Sequence, residues 1–112
     1  MLVFNIKSSI MTSYYKQNNK VGRLHMYRIN IITDKSGVIK SDYMDELRKI
    51  HPTMAGEIVN KELLELHICF CFLWNDDSGK MLRTSYVEKY ETTDNYFIVY
   101  TLNSVYYLSK IQ

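Results

Sequence analysis

Proline is almost missing from this chain. Among 112 residues there is one, Pro52, with only four glycines and two cysteines. So little proline and glycine excludes a collagen-like or low-complexity chain. The cysteines, Cys69 and Cys71, are one residue apart. Their side chains share a face of any strand, but a bridge between residues i and i+2 is strained. A secreted disulfide framework is therefore not on offer. No apolar run approaches the ~18 residues of a membrane span. The apolar start (Leu2, Val3, Phe4, Ile6) lacks a leading positive region and is too short for a secretory signal. A cytoplasmic location is the expectation, with no membrane partner. Net charge is only +2, which removes any whole-chain argument for nucleic-acid binding.

What is present is a globular composition and an excess of tyrosine. Apolar residues make up 46% and charged residues 23%, so one domain with a core of its own is expected. Charge is uneven. Residues 1–25 hold Lys7, Lys16, Lys20 and Arg23 and no acid; residues 26–112 hold ten basic and twelve acidic residues. The chain divides into a basic arm, 1–25, and an acidic body, 26–112. The arm is polar after Ile10 and has no regular period, as terminal arms often do. Met11 and Met26 offer later natural starts.

Leu24 to Thr33 alternates and is β-branched, which predicts a strand. Asp34-Lys35-Ser36-Gly37 predicts a turn, and Val38-Ile39 a short return that closes a hairpin. Asp42–His51 predicts a helix. Ser41 or Asp42 is its cap, Asp45 and Glu46 stand early, and Arg48 and Lys49 stand late, where the helix dipole favours each. Tyr43, Met44, Leu47 and Ile50 form its apolar face, and Pro52 stops it. A second helix is expected from Met54 to Asn60 or Leu66, with Gly56 as its weak point. From Leu66 the period becomes two, with Ile68, Phe70, Phe72 and Trp74 on one face. His67, Cys69, Cys71 and Leu73 occupy the other, so this strand is expected at the centre of the sheet. Lys80–Glu91, Tyr96–Leu102 and Val105–Lys110 complete an antiparallel meander.

Two segments of that meander carry a resemblance. Thr84, Ser85 and Val87, then Thr101, Asn103, Ser104, Tyr106 and Leu108, follow the pattern Thr-Ser-x-Val … Thr-x-Asn-Ser-x-Tyr-x-Leu. This resembles the C-terminal hairpin of small uncharacterised proteins of phages and mobile elements. The resemblance covers about thirty residues, from 77 to 108. It implies a small curled sheet, with an SH3-like barrel as one form, and a phage-linked origin. It carries over no activity and no catalytic residue. The same hydroxyls have a physical role: they pair across strands or satisfy backbone at a bend. Asn103 tolerates the left-handed conformation that a bulge would need.

Chemistry-bearing clusters are few. His67-x-Cys69-x-Cys71 would place three soft ligands on one strand face, but packing is the expected role and no metal or cofactor is called for. Asp76-Asp77 reads as turn chemistry. No paired carboxylates, Ser-His-Asp set or phosphate loop is present, so a non-enzymatic protein is expected. Six of the ten tyrosines fall in the last 27 residues. Tyrosine is enriched at interfaces because its ring buries well while its hydroxyl stays satisfied. Tyr86, Glu88, Tyr90, Glu91, Tyr96 and Tyr100 are therefore the candidate partner-binding residues, suited to a basic surface. The alternative is nucleic-acid binding through Lys7, Tyr14, Tyr15, Lys16, Lys20, Arg23, Tyr27 and Arg28, with cations on phosphates and rings on bases.

The expected fold is α+β: one or two helices on a strongly curved antiparallel sheet formed mainly by the C-terminal meander. Its expected core is Ile29, Ile31, Leu47, Ile50, Ile68, Phe70, Phe72, Trp74, Val87, Ile98 and Val105. The expected function is that of a phage or mobile-element accessory protein that binds a host protein, for instance to inhibit a defence system. Val105–Lys110 is expected to be an edge strand able to pair with a second copy.

Overall fold

The computed structural model describes residues 26–61, 64 and 67–111. The basic arm, with Lys7, Tyr14, Tyr15, Lys16, Lys20 and Arg23, lies outside the described residues, as do Glu62, Leu63, Glu65, Leu66 and Gln112. The elements are β1 (Met26–Thr33), α1 (Ser41–Ile50), β2 (Ala55–Ile58), β3 (Cys71–Trp74), β4 (Met81–Arg83), β5 (Val87–Thr92), β6 (Tyr96–Thr101) and β7 (Val105–Lys110). All seven strands belong to one antiparallel sheet in the order β4-β3-β2-β1-β7-β6-β5. The fold is a small α+β one, mostly sheet, with a single α-helix among the described residues. Its last three strands form the expected meander.

The strand order corrects three expectations. Lys80–Glu91 is two strands, not one, and they lie at opposite edges of the sheet. The apolar segment around Phe70 forms β3, one position in from an edge rather than central. Val105–Lys110 is paired on both sides, with β1 and β6, so the edges are β4 and β5 instead.

Only Thr84, Ser85 and Tyr86 join β4 to β5. Seven strands laid flat, at ~4.8 Å spacing, would hold their edges about 29 Å apart. Four residue steps reach roughly 14 Å at most. The sheet must therefore curl until its edges face each other. Each end of the link extends its own pair, with Thr84 N–H donating to Phe70 O (3.1 Å) beyond β3–β4 and Leu102 N–H to Tyr86 O (2.8 Å) beyond β5–β6, while His67 Nδ1, ahead of β3, donates across the gap to Val87 O of β5 at 2.7 Å. Thr84 Oγ1 also accepts from Phe70 N–H at 3.0 Å. No ladder joins β4 to β5 among the described residues, so the sheet is open and an SH3-like barrel is not confirmed.

The core fills the inside of the curl. Tyr27, Ile29, Ile32, Met44, Ile58, Phe70, Phe72, Trp74, Val87, Phe97, Val99, Tyr106 and Leu108 are all buried in it. Ile31, Ile50 and Ile68 are exposed instead, while Leu47 and Ile98 are half-buried. The reason at Ile31 is a bulge. Ile29 pairs with Leu108 and Ile31 with the next residue, Tyr107, which leaves Asn30 as the extra residue. That inserted residue turns Ile31 outward and Ile32 into the core.

The helix forms where expected, but Lys40 is its N-cap and neither Ser41 nor Asp42 caps it. Tyr43 and Ile50 face solvent. The anchor is Met44, which is buried and accepts a hydrogen bond from Ile32 N–H at its sulfur (3.4 Å). The loop before the helix contributes the expected turn, with Asp34 Oδ1 accepting from Ser36 and Val38, and one bridge between Thr33 and Ile39.

The expected second helix is a strand. Residues 55–58 pair with β1 on one side and β3 on the other, and tertiary pairing of this kind overrides local helix preference. Gly56 faces inward, where a Cβ would lie 2.4 Å from Leu73 O and 2.6 Å from the Phe72 ring. Asn103 is not left-handed; among the described residues the positive-φ positions other than glycine are Met54 and His67. The β6–β7 turn closes instead through Thr101 and Ser104, whose backbone and hydroxyl exchange three hydrogen bonds.

Gly56→Ala should overpack this site and destabilise the fold by about 1–3 kcal/mol. Urea unfolding monitored by Trp74 fluorescence is the measurement, with a lowered midpoint at unchanged slope expected. Glu57 offers a second test. Its side chain is buried, its Oε2 has no hydrogen-bond partner, and burial pushes its pKa up to about 7. The unfolded chain loses this proton near 4.5, whereas the folded chain keeps it to about 7. Stability should therefore fall as pH rises from about 4.5 to 7 and then level off. Thermal melts of Glu57→Gln should lack that decline.

Candidate interaction surface

The side of the sheet opposite the core presents a continuous row of side chains. Register places Glu91 opposite Ile98, Ile98 opposite Tyr107, and Tyr107 opposite Ile31, so one row crosses β5, β6, β7 and β1. Lys89, Tyr100, Val105 and Thr33 form the next row. Tyr96, Ser109 and Arg28 form the row on the other side. Side chains opposite one another on an antiparallel pair share a face and touch. The result is an aromatic and aliphatic patch with a charged rim.

Exposure differs within it. Tyr96 and Ile31 are 41% and 38% exposed, while Ile98, Tyr100 and Tyr107 are half-buried by their neighbours. Tyr100 is the most constrained. Its hydroxyl donates to Glu91 Oε2 at 3.0 Å, and Lys89 Nζ sits 4.5 Å from its ring centroid. The hydrogen bond to Glu91, together with slight burial and nearby Tyr107 and Tyr96, raises the Tyr100 pKa. A tyrosine held protonated in this way keeps its donor.

The six candidate residues do not form one site. Tyr96, Tyr100 and Glu91 share the outer face. Tyr90 turns inward, its ring stacked on Phe97 with centroids 5.6 Å apart. A second bulge is the cause. Val87 pairs with Thr101 and Lys89 with Tyr100, leaving Glu88 unmatched, and the inserted residue puts Tyr90 on the opposite face from the one expected. Glu88 pairs with Lys35, which also donates to Thr101 O at 2.8 Å. Tyr86 lies outside β5, where its exposed ring stacks with that of His67. The rim is also mixed in sign, so a uniformly acidic docking surface is not what the sheet presents.

Ile31, Ile98 and Tyr107 are members that sequence reading missed. Two were placed in the core on alternation alone. Tyr107 shares its face with Val105, which the sequence assigns to the core, so its outward placement comes only from register with Ile98 and Ile31. From the nucleic-acid set, Tyr27 is buried in the core and unavailable to stack on a base. Arg28 is exposed, with Nε donating to Thr53 O at 3.1 Å.

A second polar cluster joins the end of α1 to the β3–β4 turn. His51 is buried with its ring stacked on Trp74, centroids 4.0 Å apart. Its Nδ1 donates to Asp76 Oδ2 at 2.5 Å, while Asp76 Oδ1 accepts from both Ser78 N–H and Ser78 Oγ. The bond from His51, followed by those from Ser78, holds the Asp76 pKa down to about 2. The serine hydroxyl faces Asp76 and not the imidazole, so this is not a nucleophile–base pair. It ties a helix end to a turn. His67 and Cys69 of the His67-x-Cys69-x-Cys71 run both lie before β3, which begins at Cys71. His67 has φ +56° and its Nδ1 donates to Val87 O at 2.7 Å. Among the described residues no three His, Cys, Asp or Glu side chains gather as a metal centre.

No known protein family matches the chain, and neither curated proteins nor solved structures match it. No helix among the described residues is long and apolar enough to cross a membrane.

Asp76 gives a test of the joint. Its carboxyl is ionised in the folded chain down to about pH 2 and in the unfolded chain to near 3.8. Its contribution is present above about pH 4 and is lost as pH falls from there towards 2. Asp76→Asn should lower the melting temperature at pH 7 and flatten the acid limb, read by circular dichroism.

Proposed function

We propose that this protein is a non-enzymatic binding module whose working surface is the outer face of β5, β6, β7 and β1. The observation that supports this reading is the row Glu91–Ile98–Tyr107–Ile31, with Tyr96 and Tyr100 beside it. A tyrosine-rich patch with an aliphatic centre and polar rim has the composition of a protein-binding site. The sheet beneath is held by ladders on both sides of β6, β7 and β1, so the patch is preorganised and little ordering cost attends binding. The charged rim of Glu91, Lys89 and Arg28 supplies register rather than bulk attraction. The narrower reading, a phage or mobile-element protein that binds a host protein and inhibits a defence system, rests on the resemblance of residues 77–108.

A second reading, nucleic-acid binding, rests on the sequence of residues 1–25, which holds four cations, Tyr14 and Tyr15 and no acid. Its signature is affinity that falls steeply with salt and is lost when residues 1–25 are removed.

The test is affinity capture from host lysate with the full chain and with an Ile31→Lys/Tyr107→Ser variant. The proposal predicts a protein retained by the first and lost by the second, at equal melting temperature. Retention of nucleic acid alone, no partner, or a partner indifferent to the two substitutions overturns it.

A further inference from the structure

On the outer face of the other half of the sheet, three sulfur-bearing side chains come together. Cys69 Sγ and Cys71 Sγ are 3.5 Å apart. Cys71 is buried, Cys69 is half-buried, and both pack in one small cluster with Val59, Leu73 and Met81. Met81 stands opposite Leu73 on β4, on the face that Cys71 shares. The thiols are held in this arrangement by one buried side chain. Asn60 Nδ2 donates to Cys69 O at 2.6 Å, and Asn60 Oδ1 accepts from Cys71 N–H at 2.9 Å. A single amide thus clamps the backbone on both sides of Phe70, whose own side chain is sunk in the core.

We propose that Cys69, Cys71 and Met81 form a binding site for one thiophilic d10 cation, Cu(I). Two metal–sulfur bonds of about 2.3 Å meeting near 100° span the observed 3.5 Å, so the pair chelates with its side chains as they stand. Two thiolates and a thioether are the soft donor set that selects Cu(I) over the harder divalent ions. Methionine supplies the third sulfur readily, because its unbranched chain adapts to irregular gaps. Binding takes Cu(I) onto two thiolates and releases their two protons. The resulting complex carries one negative charge, and Arg83 stands opposite Cys71 in the β3–β4 ladder. The half-exposed Cys69 and Met81 give the ion a path from solvent. The inference is independent of the tyrosine face.

The experiment is an anaerobic titration of the reduced full chain with Cu(I), competed by a chromophoric Cu(I) chelator. The expected result is one Cu(I) per chain, two thiols protected from a thiol reagent, and a raised melting temperature. Cys69→Ser, at the half-exposed position, should lose tight binding while still folding. Met81→Leu should keep the fold and weaken binding by at least roughly tenfold, the loss typical even of an outer-sphere partner. Cu(I) taken equally well by the Cys69→Ser variant overturns the site. An unchanged affinity in Met81→Leu overturns the three-sulfur assignment.

Discussion

Three residues, Thr84 to Tyr86, connect strands that lie at opposite edges of a seven-stranded sheet. That short tether sets the curvature, because a flat sheet would hold its edges about twice as far apart as the link can reach. The curl in turn makes an inside. Among the described residues a single sheet with one short helix has no second layer to bury its apolar face, so the sheet covers itself. Phe70 meets Tyr106 across the curl, and with Phe72 and Phe97 they belong to one core drawn from strands distant in the ladder.

Curvature also separates the two faces by composition. The inner face is dominated by large apolar side chains, and Gly56 is where a strand comes too close to Phe72 and Leu73 O for any side chain. The outer face is divided in two. Over β5, β6, β7 and β1 it is tyrosine and isoleucine with a charged rim; over β2, β3 and β4 it is sulfur-bearing and buries Glu57. Two bulges, at Asn30 and Glu88, determine which side chain joins which face. They exchange Ile31 for Ile32 and send Tyr90 inside, and so trim the outer tyrosine patch to the members that face solvent.

Buried polar groups hold the irregular parts. Thr101 and Ser104 bond each other's backbone in the β6–β7 turn, with Lys40 Nζ reaching Ser104 Oγ and Lys35 Nζ reaching Thr101 O. The loop before α1 is thereby fastened to the far hairpin. The hydroxyls that carry the C-terminal resemblance thus have a structural use: Thr84 satisfies Phe70 N–H at the end of the β3–β4 pair, and Thr101 and Ser104 close a turn. Glu57 is the exception, a buried carboxylate oxygen left unsatisfied, at a cost typically of about 1–3 kcal/mol.

Local patterns were sufficient for much of this. The helix at Ser41–Ile50 was legible from its charge order and its stop at Pro52, the turns from Asp34-Lys35-Ser36-Gly37 and Asn75-Asp76-Asp77-Ser78-Gly79, and the last strands from alternation. Phe70, Phe72, Trp74 and Val87 were legible as core because bulky apolar side chains have nowhere else to go. The candidate surface was only half legible: Tyr96, Tyr100 and Glu91 were found, while Ile31, Ile98 and Tyr107 were not. Strand order is settled by pairing between residues far apart, which no local period encodes. The same is true of bulges: one unmatched residue reverses every later side chain, yet leaves the alternation of the sequence unbroken. The sequence by itself determined the type of most elements, the apolar inventory and the tyrosine excess. Tertiary structure alone decided which strand lay at the edge, that residues 55–58 became a strand, and which tyrosines faced out, because those follow from ladder pairing and the reach of a three-residue link.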